Sequence, residues 1–270
     1  MPFKAFSSTH MKRLILLLST LCLSAVACAA GENRKVLMIF SNGAPMGDAT
    51  AKNNLWEYAE PHHVFVMHGY TVDFVSPRGG QVPFSLDADE TDPPGMVSYT
   101  IKYENFRKKS DQTLRPEQVR ADAYVAVFVG GGTGSLFDVS GDTRLLSIIA
   151  SIYESGGIIG GGGHGPGSFG NVKLANGQYL VAGKRMTGFP NASEARSKWT
   201  DAGKLLPFRV EDRLRARGAL FLVKADLADT HDAVVDQRIV TTMFLPSSTI
   251  VAQEMVDLLQ RGSSTADSGR

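Results

Sequence analysis

The sequence predicts an α/β protein with a doubly wound, mostly parallel sheet and helices on both faces, as in flavodoxin-like folds. A continuous apolar run at residues 36–41 is typical of a buried parallel strand. Residues 121–163 follow as strand, helix and strand with short links, the pattern of a right-handed parallel crossover. With 270 residues, 43% of them hydrophobic and 20% charged, the chain is long enough for one domain with a substantial core.

The first thirty residues are predicted to be a signal peptide. Residues 11–30, MKRLILLLSTLCLSAVACAA, combine a basic start, an apolar run and small residues. We expect export to the periplasm or the outside, with cleavage after Ala29 or Ala30. Lipid attachment at Cys28 is the less favoured alternative, because Ala25 stands where a lipobox usually has Leu.

The composition excludes several classes of function. The formal net charge of +1 provides no basic excess for nucleic acid, and we expect no such partner. The two cysteines, Cys22 and Cys28, lie inside the predicted signal, so the domain has neither a disulfide nor a catalytic thiolate. The apolar run from Leu14 to Cys28 is shorter than the ~20 residues of a membrane span, and no later segment approaches that length.

Elements of the amino-terminal half follow the apolar pattern. The strand at 36–41 is followed by a helix predicted over 61–68, because Pro61 suits a first helical position and Gly69 suits a helix end. A second strand is predicted at 70–77. Residues 78–113 are polar and rich in Pro and Gly, which predicts a long excursion with at most a short hairpin or helix.

The second half contains the clearest helix, over 141–157. Its apolar residues recur at helical spacing, Asp142 can cap its start and Gly156 its end. The remaining predicted elements are, in order, a strand at 121–132, a strand at 157–163, a hairpin and strand in 171–189, a helix in 206–218, a strand pair in 234–242 and a helix over 246–260. One domain is predicted over 32–260, and a disordered tail over 261–270.

Common catalytic and cofactor motifs do not fit the glycine-rich turn. Segment 165–170, GPGSFG, has the letters of a dinucleotide fingerprint, but no helix pattern and no acidic residue follow at the required places, so we expect no cofactor. Ser135 and Ser168 lie outside a nucleophile-elbow motif, which favours turn roles for both. His62 and His63 are adjacent on a predicted helix and are expected to point apart, so no metal site is predicted.

Two glycine turns, VGGGTGSLFD at 129–138 and GGGGHGPGSF at 160–169, resemble those of the PfpI/ThiJ superfamily, whose fold is that of class I glutamine amidotransferases. The segments WEYAEP, GYTVDFVSPRGG, LPFRVEDRLRARGALF and LPSSTIVAQEMVDLL extend the similarity along most of the domain. The chain is most similar to the branch that holds chaperones and glutathione-independent glyoxalases.

The resemblance implies roles for individual residues. The family's nucleophilic cysteine corresponds to Gly163, its histidine to His164, and the acidic residue that contacts the cysteine to Glu57. Amides at Gly131, Gly132 and His164 correspond to the oxyanion hole.

Two further family positions differ here. The histidine of the first glycine turn is replaced by Thr133, and the acidic residue often found after GFP is replaced by Asn191. Together with the missing cysteine, three polar features of the site would have changed. Gly131, Gly132, Gly163, His164, Glu57 and Asn191 are the residues expected to line a ligand site.

A glycine cannot attack a carbonyl carbon, so a thiol mechanism is excluded. We therefore expect a non-catalytic protein that binds a small ligand or unfolded protein clients; the resemblance also implies a homodimer. The alternative is a thiol-independent hydrolase or lyase of the glyoxalase, deglycase or amidase type, in which Glu57 and His164 activate water. Both residues also have a plainer interpretation as buried, hydrogen-bonded structural groups.

Overall fold

A computed structural model describes residues 35–85, 95–223, 233–243 and 248–267. Its strands are β1 (Lys35–Ile39), β2 (Ala44–Met46), β3 (Ala49–Ala51), β4 (Asn53–Asn54), β5 (Thr71–Val75), β6 (Phe84–Ser85), β7 (Ala126–Val129), β8 (Ile158–Gly162), β9 (Arg185–Met186), β10 (Leu220–Phe221), β11 (Val234–Asp236) and β12 (Ile239–Thr242). Its α-helices are α1 (Trp56–Met67), α2 (Gly95–Tyr103), α3 (Phe106–Asp111), α4 (Thr143–Glu154), α5 (Asn191–Glu194), α6 (Val210–Ala216) and α7 (Ser248–Asp267).

Six strands form the central sheet, in the order β11-β12-β8-β7-β1-β5. All neighbours are parallel except β11 and β12, which form an antiparallel pair. One face packs against α4, and the other packs against α1 and α7. The predicted fold class, a doubly wound and mostly parallel sheet with helices on both faces, is confirmed.

Strand β1 shows why the central strands are continuous apolar runs. Leu37 and Ile39 face the core beneath α4, whereas Val36 and Met38 face the core beneath α1 and α7. Because successive side chains of a strand point to opposite faces, a strand covered on both sides has no polar positions. Burial of each such side chain contributes about 1.5–3 kcal/mol.

Helix α1 begins five residues earlier than predicted. Its first turn is satisfied by Asn54, whose Oδ1 accepts the amides of Trp56 at 3.0 Å and Glu57 at 3.4 Å. Pro61 is therefore inside the helix rather than at its start. The prediction that the helix starts at Pro61 was wrong, because the side chain of Asn54 caps the helix earlier in the chain. Glu57 therefore belongs to the first helical turn.

Other boundaries also differ. The predicted hairpin in 171–189 is reduced to one antiparallel bridge, Lys173 to Tyr179, before the two-residue β9. Helix α7 continues to Asp267, past the predicted end at Gln260 and through most of the segment expected to be a disordered tail. The predicted start of this helix, at 246–247, lies outside the described residues, as does the signal segment.

The topology places the site. From β1 the chain moves to β5 on one side, and from β7 it moves to β8 on the other side, so β1 and β7 are neighbours from which the connections diverge. Ligands of open α/β sheets bind beyond the carboxyl ends of strands at such a switch point. The glycine turns after β7 and β8 lie at this edge of the sheet.

Candidate active site

The turn after β8 has the geometry of a tight strand-to-helix elbow. Gly163 has φ 55°, in the left-handed region, and its amide donates to Thr242 O at 3.2 Å. Its carbonyl accepts the Phe189 amide at 2.7 Å. A short helix of 3-10 type, Gly165–Asn171, follows at once. A side chain at position 163 would therefore stand at the apex of the turn.

The Glu57 carboxylate fills the space in front of this apex. A Cβ built on Gly163 would lie 2.7 Å from Glu57 Oε1 and 2.9 Å from Oε2. Glu57 is only 6% exposed. A Cβ on Gly131, in the first glycine turn, would overlap Glu57 Oε2, so position 131 must be glycine while the carboxylate is there. The structure thus brings together Glu57, Gly131 and Gly163, as the resemblance implied.

The first glycine turn is fixed from its other side. Gly132 has φ 93°, and a Cβ there would overlap the backbone of Lys52 and Asn54. The Asn54 amide donates to Gly131 O at 3.0 Å, and the Gly134 amide donates to Lys52 O at 3.0 Å. The segment that caps α1 therefore also holds the glycine turn that carries the expected oxyanion amides.

His164 is 2% exposed and is paired with a carboxylate that the sequence interpretation missed. Its Nε2 lies 2.9 Å from Glu194 Oε2, and the Thr200 hydroxyl donates to the other oxygen of Glu194. Burial alone would raise the pKa of Glu194, but the hydrogen bonds from His164 and Thr200 outweigh it and hold that pKa below its usual range.

The ionised state of Glu194 fixes the tautomer of the histidine. A carboxylate only accepts hydrogen bonds, so the proton in this contact is on His164 Nε2. The other ring nitrogen, Nδ1, makes no hydrogen bond to the described part of the chain and is the atom that can exchange a proton with a ligand. A histidine oriented by a buried carboxylate is an arrangement that recurs in general acid-base catalysis.

The prediction for Asn191 needs correction. Its Nδ2 donates to Asp212 Oδ1 at 2.7 Å and its amide donates to Glu211 Oε2 at 2.9 Å, so the residue is bound to α6 instead of His164. The acidic partner of the histidine is present, but three residues later. Residues three apart share a helix face, and α5 turns Glu194 toward His164. Only the cysteine and Thr133 remain as departures from the family pattern.

Aromatic rings complete the surroundings of His164. Phe189 stacks on the imidazole with ring centroids 4.4 Å apart, and Trp199 meets it edge-on at 5.7 Å. The sequence interpretation identified neither ring. Phe189 could have been found from its place in the GFP segment, whereas Trp199 lies in no motif.

The remaining candidates have structural roles. Ser168 Oγ donates to Ser135 O and Ser135 Oγ to Gly132 O, each at 3.3 Å, which confirms that both serines support turns. The expectation that His62 and His63 point apart is wrong. Both Nδ1 atoms contact one carboxylate, Glu104, at 3.0 Å and 2.5 Å, because α2 ends against this face of α1.

The described residues contain neither a cluster of metal ligands nor a helix able to span a membrane. In residues 35–85, 95–223, 233–243 and 248–267 there is no group of three or more His, Cys, Asp or Glu that could hold a metal ion. Within the same ranges, every helix is too short or too polar to cross a membrane.

Comparisons with known proteins identify the family. The model of the DJ-1/PfpI family matches residues 49–257. The chain is 30% identical over 227 residues to the glutathione-independent glyoxalase HSP31 of Saccharomyces cerevisiae, covering 83% of this chain and 93% of that protein. It is 28% identical over 213 residues to glyoxalase 3 of Candida albicans, covering 74% of this chain and 86% of the relative.

Solved structures show the same fold. The Rapid Encystment Protein of Francisella tularensis superposes with a TM-score of 0.73 at 26% identity, over 82% of this chain and 97% of that one. Glyoxalase III of Candida albicans superposes with a TM-score of 0.73 at 24% identity, over 84% of this chain and 97% of that one.

Proposed function

The chain belongs to the DJ-1/PfpI family, and from that premise we propose that it converts hydrated 2-oxoaldehydes into 2-hydroxy acids without a thiol nucleophile. The names of the curated relatives, glutathione-independent glyoxalases, support this substrate class. The observation that carries the proposal is the position of the Glu57 carboxylate, within 3 Å of the point where a side chain on Gly163 would begin.

Water adds to the aldehyde carbon in place of the missing thiol. A 2-oxoaldehyde, R–CO–CHO, adds water to give the hydrate R–CO–CH(OH)₂, so the carbon that a thiolate would attack already carries two oxygens. Glu57 accepts the proton of that carbon, and His164 donates a proton to the neighbouring carbonyl oxygen. The product of this step is the enetriol R–C(OH)=C(OH)₂, with no covalent bond to the protein.

The second half of the reaction reverses both proton transfers. Glu57 returns its proton to the carbon that bears R, and His164 takes a proton from a terminal hydroxyl, which gives R–CH(OH)–COOH. The hydrate and the acid are isomers, so no oxidant, reductant or cofactor is consumed. Backbone amides of the first glycine turn would stabilise the negative charge that develops on oxygen.

The buried positions of both groups suit this chemistry. Glu57 and His164 are each more than nine-tenths buried. Hydrogen bonds and charges act more strongly in such a site than in water. Glu194 accepts a hydrogen bond from His164 Nε2 and holds the imidazole in place for the transfer of the first proton.

The test compares methylglyoxal turnover by the wild type, Glu57→Gln and His164→Ala. We expect each substitution to lower kcat by at least about 100-fold, since general acid-base groups contribute roughly 10²–10⁴-fold. Glu60→Gln is the matched control, because Glu60 is also a half-buried carboxylate of α1 whose pKa burial raises to about 7. Retention of the wild-type rate by Glu57→Gln would refute the proposed mechanism.

A second candidate function is binding of a small ligand, or of unfolded clients, without turnover. Gly163 favours it, because the family nucleophile is missing. A silent wild type that binds 2-hydroxy acids in calorimetry would support this candidate. Gain of methylglyoxal turnover by Gly163→Cys, with none in the wild type, would identify the chain as a binding protein derived from a cysteine enzyme.

A further inference from the structure

The outer wall of the site is an exposed tryptophan. Trp199 is 50% exposed, although its ring lies edge-on to the imidazole of His164 and 6.4 Å from the ring of Phe189. His164 itself is buried beneath these two rings. A large apolar side chain that is half open to solvent beside a buried proton-transfer group is positioned to contact the part of a ligand that projects out of the site.

The segment that presents Trp199 is held in an unfavourable backbone conformation. Asp201 and Ala202 have φ 48° and 54°, and Gly203 has φ 82°, so three successive residues are left-handed. A left-handed backbone is sterically unfavourable for residues that have a Cβ, and it persists only where surrounding contacts hold it. The Ala202 carbonyl accepts Arg209 Nη2 at 2.6 Å, and the Ala202 amide donates to Ser197 O at 2.8 Å.

The same segment orients the histidine. Thr200, the neighbour of Trp199, donates its hydroxyl to Glu194, which holds His164 Nε2. The tryptophan ring and the proton-transfer pair are therefore fixed by one short stretch of chain. A ligand group in contact with Trp199 lies at a defined place relative to the atom that exchanges protons.

We propose that Trp199, with Phe189, forms a subsite for the substituent R of the substrate, and that the site prefers 2-oxoaldehydes with an aromatic R to methylglyoxal. This inference rests on the proposed function and names its substrate class. The methyl group of methylglyoxal is too small to cover the exposed indole. A phenyl group placed against the same ring would remove apolar surface of both partners from water and form a stacked or edge-to-face pair.

The kinetic test compares kcat/KM for phenylglyoxal and for methylglyoxal in the wild type and in Trp199→Ala. Comparison of the ratio of these two values between the wild type and the variant cancels the intrinsic difference in reactivity of the substrates. We expect the ratio to fall by about 3- to 10-fold in Trp199→Ala, the range for loss of one aromatic pair, and by less in Trp199→Phe, which keeps a ring. A ratio unchanged within twofold in Trp199→Ala would overturn the proposal.

Leu220→Ala is the matched control, because Leu220 is a similarly exposed apolar residue, 56% exposed, on β10. Its ratio should equal that of the wild type. Trp199→Phe also separates the subsite from folding, because an aromatic side chain is retained next to Thr200. An equal fall of the ratio in Leu220→Ala would contradict the assignment to Trp199.

A binding measurement separates this inference from the proposed function. Calorimetry with mandelate and lactate, the 2-hydroxy acids with phenyl and methyl substituents, needs no turnover. Tighter binding of mandelate that is lost in Trp199→Ala would support the subsite even if neither oxoaldehyde is converted. Equal binding of the two acids, or a preference for mandelate that survives in Trp199→Ala, would refute it.

Discussion

At the scale of single residues, the site depends on a glycine and a carboxylate that occupy one small space. Glu57 could be assigned from its match to the family pattern, and so could Gly163 and His164. The close approach of Glu57 to position 163 could not be predicted, because it depends on α1 beginning at Trp56. Glu194 was missed because the acidic partner was expected directly after GFP.

The crowding at position 163 predicts a loss of stability for Gly163→Ala. The new Cβ meets a left-handed backbone and lies 2.7 Å from Glu57 Oε1. Gly69→Ala is the matched control, since Gly69 has φ 78° but a Cβ added there would meet no atom within 4 Å. We expect Gly163→Ala to lower the free energy of unfolding by about 1–3 kcal/mol, and by more than the control does.

Chemical denaturation of the two alanine variants measures this difference. In the double variant Glu57→Ala/Gly163→Ala, the part of the lost free energy of unfolding that is due to crowding should be recovered. The loss that remains should equal that of Gly69→Ala, which comes from the left-handed backbone alone. Equal losses in the two single variants would mean that Glu57 does not occupy the space in front of Gly163.

Glu194 is predicted to act by positioning His164. Glu194→Gln keeps the shape of the side chain but replaces a carboxylate, which only accepts hydrogen bonds, by an amide that also donates, so the tautomer of His164 is no longer fixed. We expect kcat for methylglyoxal to fall by about 100-fold with little change in KM, at the lower end of the contribution of general acid-base catalysis. Glu194→Asp should restore part of the rate, and a rise in KM with unchanged kcat would contradict the positioning role.

At the scale of secondary-structure elements, the sequence predicted the strongly patterned segments and misplaced the start of α1. The Asp142 cap of α4 is confirmed, with Oδ1 accepting the amides of Arg144 at 2.9 Å and Leu145 at 3.3 Å. For α1, the start was predicted at Pro61, a common first helical residue, and the capping side chain of Asn54 was overlooked. The segment around Trp199 has no periodicity, since its shape comes from three left-handed residues and contacts with distant side chains.

The junction of α1 with the end of α2 predicts a dependence of stability on pH. His62 is fully buried and shares Glu104 with His63. Burial lowers the pKa of His62, with Lys109 acting in the same direction against the Glu104 hydrogen bond. The unfolded chain therefore binds a proton near pH 6.5 that the folded chain does not, and stability is lost as the pH falls below that value.

We expect the free energy of unfolding of the wild type to decrease between pH 7 and pH 5, with a slope of up to about 1.4 kcal/mol per pH unit for this one proton. Denaturant titrations at several pH values measure the slope. His62→Gln should flatten it, whereas His68→Gln, at the end of the same helix and outside the Glu104 cluster, should leave it unchanged. Parallel slopes for the wild type and His62→Gln would exclude His62 as the origin.

At the scale of the whole molecule, the fold class followed from apolar runs and from the family resemblance, and it is confirmed by the sheet order β11-β12-β8-β7-β1-β5. The switch point between β1 and β7 then explains why residues as distant in sequence as 57, 131 and 163 meet. The substrate could not be predicted at this scale, because one fold supports many chemistries and the ligand is selected by the residues of the site.

The sequence of residues 11–30 predicts a processed, exported protein. Expression with the full amino terminus in a bacterial host should yield a chain that begins after Ala29 or Ala30 and is recovered from the periplasm. Intact-mass measurement of that fraction checks the prediction. A membrane-bound product carrying lipid on Cys28 would favour the alternative, and an unprocessed chain in the cytoplasm would contradict export.

In the proposed mechanism the site works without a thiol, through Glu57 and His164. The most direct measurement is the formation of lactate from methylglyoxal, followed by proton NMR in deuterated water, with protein treated beforehand with iodoacetamide. The proposed mechanism predicts lactate formation at the same rate before and after alkylation. Because Glu57 returns to C2 the proton that it takes from C1, this lactate should keep the hydrogen of the substrate at C2. Absence of lactate, or its formation only by untreated protein, would contradict the mechanism.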